Sequence, residues 1–203
     1  MLGLPPSTEV NRRVSKEKLF ANMVLSTQVR DIIKEQIEAV FWRNKLANST
    51  FNVSAGEIVN ELQVFEVQLR QKGLDKRVLS VISRAIPYKI LFVLTFEAEA
   101  QVWIEASGTF YNTKWLPLNE LALRFDGLNL DVIYENLVRQ LASGRLDTGI
   151  DIAEAVDRAR RRQRLEREIA ALERKVLQEK QFNRQVELNG ELKRLKEKMG
   201  GLS

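Results

Sequence analysis

Two glutamate–glutamine pairs on one predicted strand are the residues best suited to hold a metal ion. Each pair has the form Glu-x-Gln: Glu61 with Gln63, and Glu66 with Gln68. Because alternate residues of a strand share a face, the two members of a pair can reach one ion. Carboxylate and amide oxygens bind Mg²⁺, and oxygen ligands on adjacent strands can hold Mg²⁺ in nucleases. The pattern keeps a metal-dependent nuclease open, although alternating polar residues on a half-exposed strand also produce it by chance.

The composition removes most other catalytic chemistry. The 203 residues include no His and no Cys. A Ser-His-Asp or Cys-His nucleophile, a structural zinc site and an iron–sulfur cluster are therefore excluded. Neither G-x-G-x-x-G nor G-x-x-x-x-G-K-[ST] occurs, so these phosphate-binding loops are excluded as well. We expect no cofactor and no enzymatic activity, except Mg²⁺ and nuclease activity under the alternative above.

The positive charge is concentrated near the C-terminus. Residues 1–150 carry 18 Lys and Arg against 17 Asp and Glu, whereas residues 151–203 carry 14 against 10. Arginine is most frequent over residues 158–164. Successive helical residues lie about 100° apart, so the arginines of this segment surround the helix. They predict phosphate contacts and hence a second alternative, a non-specific nucleic-acid-binding protein. The other explanation is a solvated helix neutralised by nearby acids, which is the usual role of such charge runs. The candidate residues are Arg158, Arg160, Arg161, Arg162 and Arg164.

Hydrophobic periodicity predicts an α+β body over residues 1–145. The order of elements indicates a mixed sheet of about five strands with flanking helices. No apolar stretch is long enough to span a bilayer and no secretory signal is visible, so we expect a cytoplasmic protein with no membrane partner. The predicted helices cover 15–22, 27–43, 75–86 and 129–142, and the predicted strands cover 50–53, 61–69, 89–96, 101–105 and 109–116.

Residues 146–203 predict a charged tail formed by a long helix or coiled coil. Apolar residues from 165 to 176 and from 188 to 199 step by 4, 3 and 4 positions, which is typical of a coiled-coil seam. The two stretches are out of phase, so the seam breaks between 181 and 189, and Asn189-Gly190 is a candidate turn. A seam this narrow favours a second copy or another protein as its partner, the alternative being packing against its own domain. The predicted contact residues are Leu165, Ile169, Leu172, Val176, Leu188, Leu192 and Leu195.

Several short segments, in order along nearly the whole chain, resemble the prokaryotic domain of unknown function 4391 family. The strand motif ELQVFEV and the tail motif EKQFNRQVELN are two of them. Ser15 is a departure, because the family more often has proline there, and this puts only the first short helix in question. The segments that carry the resemblance are residues 4–11, 14–20, 42–46, 50–53, 61–67, 85–88, 90–93 and 179–189.

The resemblance implies a genomic context for the protein but no particular reaction. Members tend to be encoded beside Swi/Snf-type helicases and DNA methyltransferases, in loci that look like restriction–modification or phage defence. This implies a small, non-catalytic accessory subunit of a DNA-processing assembly, with a helicase or a DNA methyltransferase as its partner and DNA nearby. The family has no settled activity, so the resemblance assigns no catalytic residue.

Overall fold

The computed structural model describes residues 2–20 and 25–201. The chain divides into two compact units, Met1–Gly144 and Arg145–Ser203. The first unit is built around a β-sheet, and the second unit is helical. No helix in the described part of the chain is long and apolar enough to cross a membrane.

The first unit contains one mixed sheet, as expected, with seven strands rather than about five. Strands β1 to β6 lie side by side in chain order, and β7 pairs with β5. Among the strands of the described residues, only the neighbours β3 and β4 are parallel, because the helix that follows β3 returns the chain to the end of the sheet at which β3 began. The strands are β1 (Glu9–Val14), β2 (Ile37–Leu46), β3 (Leu62–Leu69), β4 (Lys89–Phe96), β5 (Glu99–Ala106), β6 (Thr109–Asn112) and β7 (Leu116–Pro117).

Helices pack against the sheet in the first unit and form the second unit. In the first unit, α2 and α4 contribute to one hydrophobic core on the sheet, and α5 lies against β5 and β6. The central strands β3 and β4 are buried on both faces, which explains why apolar residues run almost continuously along β4. The helices are α1 (Lys16–Phe20), α2 (Thr27–Gln36), α3 (Asn48–Phe51), α4 (Lys76–Ala85), α5 (Leu130–Ala142), α6 (Ile152–Gln178) and α7 (Phe182–Gly200), and a 3-10 turn covers Pro6–Thr8.

The predicted helix over residues 27–43 is wrong beyond Gln36. Helix α2 ends there, and Ile37 begins β2, which pairs with β1 on one side and β3 on the other. The apolar residues from Ile37 to Trp42 fit either period, and β-branched and aromatic side chains favour a strand once neighbouring strands supply hydrogen bonds. Pairing with two neighbouring strands therefore decides the conformation of these residues, although their local pattern also fits a helix.

The predicted strand over residues 50–53 is also wrong. Residues Asn48–Phe51 form the short helix α3, in which the Thr50 hydroxyl accepts a hydrogen bond from the Ala47 N–H at 3.0 Å. Asn52 follows with a φ of 54°, a left-handed conformation that asparagine tolerates well.

Two other predicted elements differ in their bounds. The predicted strand over 109–116 divides into β6 and β7. Positions 21 and 22 of the first predicted helix lie outside the described residues.

The second unit contains an antiparallel helical hairpin. Helix α6 begins at Ile152 and ends at Gln178, and the carboxylate of the preceding residue, Asp151, caps it by accepting from the N–H groups of Ala153 and Glu154. Helix α7 packs against it after residues 179–181. The pairing of Lys196 with Glu173 at 2.8 Å shows that the two helices run in opposite directions. The candidate turn at Asn189-Gly190 is wrong, because α7 continues through it.

Candidate functional site

The two Glu-x-Gln pairs lie at the start and in the middle of β3, and they do not converge. Within each pair the glutamine side chain donates to the glutamate: Gln63 to Glu61 at 2.8 Å, and Gln68 to Glu66 at 3.1 Å. Strand alternation places residues 61 and 63 on one face of the sheet and residues 66 and 68 on the other. The four candidate residues therefore form two separate polar clusters.

Glu66 forms the more buried cluster. Its side chain is 4% exposed and accepts from the Arg43 Nε at 2.6 Å. The Thr95 hydroxyl, on the neighbouring strand β4, donates to the same carboxylate at 3.1 Å. Arg43 also lines a cavity of about 340 Å³ together with Glu9, and the arginine thus lies between the buried carboxylate and open space. The cluster brings carboxylate and hydroxyl oxygens together, the Gln68 amide contacts the carboxylate through its nitrogen, and the Arg43 guanidinium occupies the place that a metal cation would take.

Glu61 forms the second cluster with Lys45, whose ammonium lies 2.7 Å from its carboxylate. The Oε1 atom of Gln63 is buried there without a hydrogen-bond partner. Glu61 and Lys89 line a cleft of about 520 Å³. Within residues 2–20 and 25–201, no three acidic side chains come close enough together to hold a metal ion.

A buried tyrosine donates to the backbone of a residue that lines the same cleft. The Tyr134 hydroxyl donates to the Glu105 carbonyl at 2.5 Å, and the Lys89 ammonium lies 5.2 Å from the centre of its ring. Burial, followed by the negative charges of Glu105 and Glu135, raises the pKa of the Tyr134 phenol. The phenol therefore stays protonated at neutral pH and acts as a hydrogen-bond donor.

The predicted seam residues line the hairpin. Leu165, Ile169 and Leu172 are buried, and the other four are half-buried. Positions 165, 169, 172 and 176 mirror positions 199, 195, 192 and 188 about residue 182, so the steps of 4, 3 and 4 match when the chain folds back on itself. The α6–α7 packing thus provides the seam with a partner inside the unit. Contact between these seven residues and a second protein stays a prediction.

Three large apolar residues beside the hairpin turn are exposed, and we name this group the tip: Leu177 is 84% exposed, Phe182 76% and Val186 54%. Leu177 lies about 100° from the seam around α6, and Phe182 lies about 120° from it around α7. Because the helices are antiparallel, these rotations bring both side chains to the same side of the hairpin. Sequence analysis missed the tip, although the signal was present as apolar residues outside the seam positions.

The five candidate arginines have different environments on α6. Arg162 is half-buried, contacting the Asp147 carboxylate at 3.2 Å and the Arg145 carbonyl at 3.3 Å. It therefore holds the segment that precedes α6. The others are exposed, and three of them have acidic neighbours on the same helix: Arg158 with Glu154 at 2.7 Å, Arg160 with Asp157 at 3.8 Å, and Arg164 with Glu168 at 2.9 Å.

Comparison with known proteins places the chain in a family without assigning it an activity. No curated protein and no solved structure matches it significantly. The family described as "Domain of unknown function (DUF4391)" matches residues 2–199, nearly the full length and both units. The resemblance carried by the ordered sequence motifs is confirmed, and the chain belongs to the DUF4391 family.

Proposed function

We propose that this protein is a non-catalytic interaction subunit of a cytoplasmic DNA-processing assembly of the restriction–modification or phage-defence type, and that it binds its partner protein through the tip. The observation that carries the proposal is the exposure of Leu177, Phe182 and Val186, while the seam residues of the same hairpin are covered. Contiguous apolar surface that folding leaves exposed marks an interaction site.

The size of the tip favours a different protein over a second copy of this chain. Its three side chains expose on the order of 400 Å², about half of the ~800 Å² that each partner contributes to a standard interface. Two tips in contact are therefore too small for a stable dimer. A groove on a larger protein can cover the tip and the polar flanks of both helices together. The helicase or DNA methyltransferase implied by the family's setting is the partner that we propose.

The test measures the affinity of the full chain for that helicase or methyltransferase. Leu177→Ser combined with Phe182→Ser should weaken binding by at least ~100-fold, because each apolar anchor contributes about 1.5–3 kcal/mol when buried. Leu128→Ser is the matched control, since Leu128 is 92% exposed in the first unit. The control should bind like the wild type. Equal affinity of the wild type and the double variant would contradict the proposal.

A metal-dependent nuclease is the second candidate function, and the Glu66 cluster favours it. Glu66 and Thr95 bring carboxylate and hydroxyl oxygens together on adjacent strands, and the amide group of Gln68 lies beside the same carboxylate. Mg²⁺ would have to displace the Arg43 guanidinium from the carboxylate.

Incubation of DNA with the purified chain and Mg²⁺ or Mn²⁺ tests the nuclease. Glu66→Gln should abolish cleavage, whereas Glu61→Gln, in the other cluster, should retain it. Absence of cleavage by the wild type with both metals would reject this candidate.

A further inference from the structure

The outward face of α6 carries an uninterrupted basic row. From Arg160 to Gln178, the residues within about 60° of the direction opposite the seam include no acid. Three of these residues are arginines, at 160, 167 and 174, and the rest are two glutamines and two alanines. Arg164 lies at the border of this face, about 70° from the same direction. We name these four arginines the basic row: Arg160, Arg164, Arg167 and Arg174. The acidic residues of this part of α6 lie on its flanks.

All four arginines of the basic row are exposed. Arg160 and Arg164 reach sideways to Asp157 and Glu168. Exposed ion pairs of this kind contribute only about 0–1 kcal/mol, so a phosphate can replace the carboxylate at little cost. The buried seam on the opposite side of α6 fixes the rotation of the helix, and hence the direction in which the basic row points.

We propose that the basic row binds the phosphate backbone of double-stranded DNA. Arg160, Arg167 and Arg174 are seven residues apart, so they repeat every ~10.5 Å along a straight row about 21 Å long. This length corresponds to about six base pairs of duplex, in which both strands present regularly spaced charges. The face contains no aromatic residue that could stack on an unpaired base, so duplex backbone fits it better than a single strand.

This inference deepens the proposed DNA-associated role, and it rests on different residues from the tip. Loss of DNA binding would leave the contact between the tip and the partner protein intact, and loss of that contact would leave DNA binding intact. The inference also selects among the candidate arginines. Arg160 and Arg164 belong to the basic row with Arg167 and Arg174, whereas Arg158, Arg161 and Arg162 point elsewhere.

Fluorescence anisotropy with a labelled 20-base-pair duplex, from 50 to 200 mM salt, tests the inference on the full chain. With three or four phosphates contacted, log K should fall against log salt with a slope of about −3 to −4. Arg164→Gln combined with Arg167→Gln should make that slope shallower by about 2 and weaken binding at least 10-fold at 0.1 M salt.

Arg158→Gln combined with Arg161→Gln is the matched control, because it removes the same charge from the same helix outside the basic row. It should bind the duplex within about 2-fold of the wild type. Equal losses in the two double variants would overturn the proposal, because they indicate a diffuse effect of net charge. Equal affinity for a single strand of the same length would also overturn it. A wild type without salt-dependent duplex binding would overturn it in favour of an acidic protein surface as the occupant.

Discussion

The seam and the tip of the hairpin contain the same kinds of side chain in opposite environments. Leu172 in the seam is 7% exposed, whereas Leu177, only five residues further along the same helix, is 84% exposed. The seam leucines stabilise the fold of the second unit, because their burial removes apolar surface from water. Leu177 and Phe182 contribute no comparable burial, so the fold of the second unit does not account for large apolar side chains at these positions. The comparison separates residues that build the hairpin from residues available to a partner.

The largest effect expected from this comparison is the loss of stability when a buried seam residue is shortened. Leu172→Ala should reduce the local stability of α6 and α7 by about 3 kcal/mol, because it removes buried atoms and leaves a cavity. Leu177→Ala should change that stability by less than about 0.5 kcal/mol, because the side chain is already in water. Amide hydrogen exchange of the hairpin under native conditions measures both values. Similar losses would show that the tip is part of the core.

A smaller effect is expected at the start of α6. Asp151→Ala should destabilise the hairpin by about 1 kcal/mol, since it removes the side chain that caps the N–H groups of Ala153 and Glu154. Gln181 precedes α7 without a side-chain capping bond, so Gln181→Ala should cost less. Chemical denaturation followed by circular dichroism compares the two variants. A greater loss from the Gln181 change would contradict the assigned helix start.

The smallest effect is stabilising. Gly190 lies inside α7, and a β-carbon added there meets open space. Gly190→Ala should therefore stabilise the hairpin by about 0.5–1 kcal/mol through helix propensity, without altering the tip. The same denaturation experiment measures the gain, and affinity for the partner should remain unchanged. A loss of stability would mean that this position is covered.

The hairpin could have been predicted from the seam residues. Their two runs of 4, 3 and 4 steps are mirror images about residue 182, which is the arrangement that an antiparallel hairpin requires. In a single continuous helix, the same residues would form two seams out of phase. The tip follows from the hairpin, because Leu177 and Phe182 lie about 100–120° from the seam and so do not face the opposite helix.

In the first unit, sequence periodicity predicts individual helices and strands but not which side chains meet across the sheet. The helices α4 and α5 form where the pattern predicts them, because each has a clear helical period and a capping residue. The strand β3 also forms over the predicted residues, although it is buried on both faces and its pattern has no single period. The partners of Glu66 were not predictable, since Arg43 and Thr95 reach it only through the register of three strands. Register depends on the whole sheet, and a local pattern does not contain it.

The most direct test of the proposed role of the tip uses the absence of cysteine from the chain. Val186→Cys places a single thiol in the tip, and Lys198→Cys places one at an exposed position near the other end of α7, on a different face of the helix. The rate of reaction with a maleimide is measured for each variant with and without the partner protein. We expect the partner to slow the reaction at residue 186 at least 10-fold and to leave the rate at residue 198 unchanged. Equal rates at residue 186 in the free and bound chains would contradict the account.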